Sequence, residues 1–114
     1  MTQALSITRS TTGNGVTVVR VKGDIDFANG ASLREALEVC ENAAAPRIVV
    51  DLSEVPFLDS AGVNIVIETQ RAVEEAHGWL RLAAPQPAVA RVLTIVSIDQ
   101  VIGCYSTLEK ALVN

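Results

Sequence analysis

RIVVDLSEVPFLDSAGVNIVIETQ, residues 47–70, changes its periodicity halfway along, and that change decides the fold. Arg47-Ile48-Val49-Val50-Asp51-Leu52 is a nearly continuous aliphatic run, the pattern of a strand covered on both faces. Pro56 then turns the chain. Beyond Ser60 the apolar residues recur every three or four positions to about Ala76, the period of an amphipathic helix, and Gly78 offers a C-terminal stop. Strand, short loop and helix in that order form half of a parallel βαβ unit.

Working outward, the same alternation continues. Leu5-Ser-Ile7-Thr-Arg9 alternates with period two and Val16-Thr-Val18-Val-Arg-Val21 is β-branched, so with Asn14-Gly15 between them they predict a hairpin. Leu33, Ala36, Leu37, Cys40 and Ala44 mark a first helix, stopped by Pro46. Trp79–Ala84 reads as a strand. Pro87 suits the first turn of a third helix, with Val89, Val92, Leu93 and Val96 along one stripe. Val101–Tyr105 is a short last strand, and Ser106-Thr-Leu-Glu109 has capping-box spacing before a C-terminal helix. The fold class is therefore α/β: one domain over 1–114, a hairpin followed by alternating helices and strands, and a mixed sheet with right-handed crossovers and helices mainly on one side.

Composition narrows the function. The chain has 114 residues, 49% of them hydrophobic but only four aromatic, so the core is aliphatic. Its net charge is −4, and the nine Lys and Arg are scattered singly, which argues against a nucleic-acid partner. No apolar run approaches the ~20 residues that span a bilayer, and the start, MTQALSITRSTT, lacks a signal-peptide core. Cys40 and Cys104 read as buried thiols of a reduced, cytoplasmic protein, and no cofactor or metal is expected.

Sites in such sheets gather at the carboxyl ends of strands, where Phe57-Leu58-Asp59-Ser60-Ala61-Gly62 lies. A nucleophilic Ser60 needs a base. The single histidine, His77, follows on the same helix and would sit ~25 Å away at ~1.5 Å per residue, so a serine triad is excluded. An aspartyl-phosphate receiver built on Asp24, Asp26 and Asp51 requires an all-parallel sheet, which the hairpin opposes. Helix capping accounts for either Asp59 or Ser60. On a helical wheel Gly62, Ile65, Val66, Thr69, Val73 and Ala76 form the core side, whereas Ser60, Val63 and Ile67 fall on another stripe. Periodicity leaves open whether that stripe docks a partner or lies under the first or third helix. A phosphate on Ser60 would suit a helix N-terminus and would add charge without melting the helix.

Three segments carry a family resemblance. Gly23-Asp24-Ile25-Asp26, Ile48–Ser53 with Phe57–Gly62, and Pro87-Ala88-Val89-Ala90-Arg91-Val92-Leu93 together resemble STAS-domain anti-sigma factor antagonists over nearly the whole chain. The resemblance implies a bacterial regulator without enzymatic activity. Unphosphorylated, it would bind an anti-sigma factor that is also a GHKL-type serine kinase and so free a sigma factor. The kinase would use ATP and magnesium to phosphorylate Ser60, and a PP2C-type phosphatase would reverse this. Asp59, Gly62 and Asp26 would support the phosphorylated loop, and Val63, Ile67, Asn64, Asp24 and Phe27 would meet the partner. Asn64 stands where relatives often carry glycine, which bears on partner specificity, and Ala61 leaves Ser60 as the sole hydroxyl of the loop. STAS domains also serve in stressosome-like scaffolds, as orphan signalling modules and on transporter tails, the last disfavoured by the absence of flanking domains.

Overall fold

The computed structural model describes residues 5–113; residues 1–4 of the N-terminal segment and Asn114 lie outside the described residues. Strands β1 (Ser6–Thr11) and β2 (Thr17–Lys22) pair antiparallel as the expected hairpin. Gly15 takes the left-handed position of its turn at φ +84°, and the Thr12 hydroxyl accepts the Val16 N–H at 3.0 Å. There follow α1 (Gly30–Glu41), β3 (Arg47–Glu54), α2 (Ser60–Glu75), β4 (Trp79–Ala83), α3 (Pro87–Ile95), β5 (Gly103–Tyr105) and α4 (Leu108–Leu112), with a 3-10 turn over Ile98–Gln100 before β5. The sheet order is β1-β2-β3-β4-β5, parallel from β2 onward. The antiparallel hairpin at its edge removes the receiver architecture from consideration.

The aliphatic strands sort their side chains by alternation. Val19, Val21, Ile48, Val50, Leu52, Leu80 and Leu82 join one core with Leu33 and Leu37 of α1, Ile65, Val66 and Val73 of α2, and Val89 and Leu93 of α3. Each such side chain, fully buried, contributes about 1.5–3 kcal/mol of transfer free energy. On the opposite face Val16, Val49 and Ala83 pack under Ala111, flanked by Leu108 and Leu112 of α4. Arg81 holds that short helix in place. Its guanidinium lies 3.8 Å from the centre of the Trp79 ring and donates to the carbonyls of Ala111 at 2.9 Å and Val113 at 3.0 Å.

Local readings shift at the element ends. Helix α1 closes at Glu41, not Ala44: Ala45 adopts φ +46° as the chain turns into β3, and Ala44 is exposed. Helix α3 closes at Ile95, so Val96 is exposed; Ser97 takes φ +60° and the next residue, Ile98, fills the core instead. The cap of α4 is Thr107, whose hydroxyl accepts the Lys110 N–H at 3.1 Å, one residue beyond the expected Ser106. Cys40 is buried as expected, but Cys104 is exposed because β5 is a three-residue edge strand.

The end of α2 explains Gly78 in an unexpected way. The left-handed residue is His77, at φ +64°, while the N–H groups of His77 and Gly78 reach back to the carbonyls of Glu74 and Val73 at 3.0 and 2.7 Å. This is a Schellman closure. Gly78 is needed for space, since a Cβ there would lie 1.9 Å from the Pro46 carbonyl oxygen. Two neighbouring substitutions are therefore expected to act with opposite sign. In chemical denaturation, Gly78→Ala should cost more than about 3 kcal/mol, whereas His77→Gly should be neutral or stabilising by up to about 1 kcal/mol. A tolerated Gly78→Ala would contradict the close approach.

Candidate functional site

The site begins with an irregularity in the sheet. Arg20 pairs with Asp51 and Lys22 with Glu54, so β3 carries one extra residue relative to β2 just before its end. The Asp51 carboxylate holds this bulge by accepting the Ser53 N–H at 2.9 Å, and it is itself paired with Arg20 at 3.2 Å. Asp51 is thus an interior strand residue, 4% exposed, rather than the strand's end.

Past the bulge, two loops run side by side. Gly23 N–H donates to Glu54, Ile25 N–H to Phe57, and Asp59 N–H back to Ile25, at 3.1, 3.0 and 3.2 Å, with Ile25 and Leu58 in a parallel bridge. Both bridge residues point into the core. Gly62 sits against them, and a Cβ there would lie 2.3 Å from Leu58 Cδ1 and 2.7 Å from Ile25 Cγ2. Position 62 therefore has no room for a side chain.

The Asp59 side chain joins the loops to α2. Its backbone is extended, at φ −108° and ψ −173°, as an N-cap requires. Oδ1 accepts from Ala61 N at 2.9 Å and Gly62 N at 3.2 Å, while Oδ2 accepts from Phe27 N at 3.2 Å. One carboxylate therefore caps α2 and fixes the neighbouring loop. Asp26 organises that loop in turn, with its Oδ1 accepting from Asn29 N and its carbonyl from Gly30 N, both at 2.8 Å. Asp24 is exposed, and its carbonyl accepts from the Asn29 side chain at 3.2 Å.

Ser60 is the first residue of α2 and is exposed. Asp59 has taken the capping role that either residue could have played, and among the described residues no hydrogen bond engages the Ser60 hydroxyl. His77 stands past the far end of the same helix, as the helical spacing required.

The expected partner-facing residues divide. Asn64 is exposed and Phe27 is 89% exposed. Val63 is not available: at 6% exposure it belongs to the main core, and Ile67 is half-buried against that core. The Ser60-Val63-Ile67 stripe lies on the flank of α2 away from α1. Gln70, on the same flank, reaches the Val101 carbonyl next to the 3-10 turn at 3.5 Å. Burial in the main core thus claims Val63, and a docking role for it is corrected.

On the other flank, α1 and α2 leave a shallow groove of about 350 Å³ lined by Phe27, Gly30, Ala31, Arg34, Ala61, Asn64, Ile65 and Glu68. Arg34 and Glu68 bridge it; their hydrogen bond holds the Glu68 carboxyl below its ordinary value and raises that of Arg34. Sequence reading missed this groove and also Phe57, which is 49% exposed. Arg34 and Glu68 belong to different helices, so no spacing rule joins them. Phe57 did carry a signal, as a large aromatic in a loop next to Pro56.

Comparison with known proteins gives four matches of note. The STAS domain family model matches residues 8–111. The anti-sigma-F factor antagonist RsfB of Mycobacterium tuberculosis is 33% identical over 101 residues, covering 87% of this chain and 80% of RsfB. A crystal structure of an anti-sigma factor antagonist from Mycobacterium paratuberculosis superposes with a TM-score of 0.88 at 29% identity, over 98% of this chain and 96% of that one. The anti-sigma factor antagonist SpoIIAA, solved in its unphosphorylated form, shares the fold at a TM-score of 0.77 and 22% identity, over 94% and 93% of the two chains.

Loss of the Asp59 carboxylate is expected to loosen both loops at once. Asp59→Ala should cost about 1–3 kcal/mol in denaturant unfolding and should speed amide exchange at Phe27, Ala61 and Gly62 together. Exchange unchanged at Phe27 would mean the two loops are not coupled through this side chain.

Proposed function

This chain belongs to the STAS domain family, and from that premise we propose that it is an anti-sigma factor antagonist whose binding is switched at Ser60. Unphosphorylated, it captures an anti-sigma factor and so releases a sigma factor to direct transcription. The captured partner is also a GHKL-type serine kinase: the Ser60 hydroxyl oxygen attacks the γ-phosphorus of ATP, ADP leaves, magnesium offsets the charge, and the hydroxyl proton is lost. A PP2C-type phosphatase hydrolyses the ester and restores binding. The chain is a binding module in the cytoplasm with no enzymatic activity of its own.

The observation that supports this reading most is the division of labour at the head of α2. Asp59 satisfies the helix N–H groups, and Ser60 is left exposed with a free hydroxyl. Phosphorylation would add about −1.5 to −2 charge without removing the cap. That charge would stand close to Asp59, on a surface that a partner must strip of water, and desolvating it costs several kcal/mol. Affinity therefore falls while the fold persists. Phe27, Asn64 and Asp24 remain the partner-facing residues, with the exposed edge of Ile67 on the other flank of α2.

Two Ser60 variants test the switch. Each would be used to isolate native complexes in the presence of ATP, with partners and phosphate read by mass spectrometry. Ser60→Ala should retain an anti-sigma factor, and Ser60→Asp should lose it by at least about tenfold at an unchanged melting temperature. Equal recovery with both variants would sink the proposal.

A further inference from the structure

The chain has only two phenylalanines, and both are exposed: Phe27 at 89% and Phe57 at 49%. Phenylalanine is among the residues most often buried, so the informative fact is where these two stand. They sit on the two paired loops at the Ser60 end of α2. Phe57 precedes Ser60 by three residues, which places its Cα within about 11 Å of the acceptor's by chain length alone. Phe27 is tied through its N–H to Asp59, the residue next to Ser60, and lines the groove with Ala61 and Asn64.

Neither ring is on a loose tether. The Phe27 N–H is held by Asp59 Oδ2, and the Phe57 carbonyl by the Ile25 N–H at 3.0 Å. The backbone of each is thus fixed while the ring faces water, so ordering it against a partner forfeits little chain entropy. The other two aromatics, Trp79 and Tyr105, are occupied with Arg81 and α4 on the opposite face.

Outside ion pairs, the charge around the rings has one sign. Segments 23–33 and 48–70 contain no Lys, Arg or His. Their acids Asp51, Glu54 and Glu68 are paired with Arg20, Lys22 and Arg34. Asp24, Asp26 and Asp59, the acids of the two loops, take part in no ion pair among the described residues. An apolar pair rimmed by carboxylates that no cation neutralises is complementary to apolar pockets rimmed by cations.

We infer that Phe27 and Phe57 form a two-pronged aromatic anchor beside Ser60, and that the surface they enter on the anti-sigma factor is a pair of apolar pockets bordered by Lys or Arg. This rests on the proposed function and extends it. Phe57 becomes a determinant of binding, and the acidic rim becomes the element that steers the partner in. Added phosphate is then rejected not by the rim's complement, which is cationic, but because a dianion next to two docked rings must be dehydrated.

The test uses the full chain and the purified anti-sigma factor recovered with Ser60→Ala. Phe27→Ala and Phe57→Ala should each raise Kd by about 30-fold or more, as hot-spot residues do, with melting temperatures unchanged. Ile95→Ala, which removes an apolar side chain 72% exposed at the end of α3, should leave Kd unaltered. Raising salt from about 0.05 to about 0.3 M should weaken wild-type binding, and Asp24→Asn should reduce that dependence. Wild-type Kd in Phe57→Ala, with Ser60→Asp still failing to bind, overturns the anchor and leaves the switch standing. Tight binding by Ser60→Asp overturns the switch itself, whatever the phenylalanine variants do. Binding that is indifferent to salt overturns the cationic pockets.

Discussion

The Asp59 carboxylate is the constraint on which the rest of the site depends. Its two oxygens accept three backbone N–H groups, two from the first turn of α2 and one from Phe27 on the other loop. A neutral cap such as serine or threonine offers one oxygen and would have to choose between helix and loop. The ionised carboxylate serves both, and charge-assisted bonds of this type are roughly twice as strong as neutral ones. Beneath it, the Ile25–Leu58 bridge and the missing Cβ of Gly62 let the loops and the helix meet without a gap. Below that, Asp51 holds the bulge that sets the exit of β3. Three acidic or absent side chains therefore place one hydroxyl.

This arrangement reconciles stability with modification. A residue that caps a helix cannot also be freely modified, because esterification would remove its cap. Here the two tasks fall to neighbouring residues, so chemistry at Ser60 leaves the hydrogen bonds of Asp59 intact. The switch then acts on the surface rather than on the fold. That is the economical arrangement for a domain of this size, whose total stability is only about 5–15 kcal/mol.

The long periodic elements were legible in the sequence because burial has to follow their geometry. The run from Ile48 to Leu52 could only be a strand covered on both faces, and Ile65, Val66, Thr69 and Val73 could only be the inner side of a helix. Element ends were less legible. Ala45, His77 and Ser97 all adopt left-handed backbone without being glycine, so the expected punctuation was missing or displaced by one residue. The Asp-Ser pair likewise left capping ambiguous, since both side chains can do it and only the backbone of Asp59 chooses. The helical wheel left the Val63 stripe open and the family resemblance assigned Val63 to the partner surface, whereas its 6% exposure puts it in the core. The α1–α2 groove could not be read at all, because it depends on how far apart two helices settle.

The pairing of the two loops runs through main-chain groups, which every residue but proline carries in full. The scaffold therefore does not care which side chains stand at positions 24, 27, 57 or 64, provided Asp59, Gly62, Ile25 and Leu58 stay in place. Recognition can diverge while the machinery beneath it stays still. A cell could keep several copies of such a domain and insulate each from the others' partners through a handful of surface exchanges.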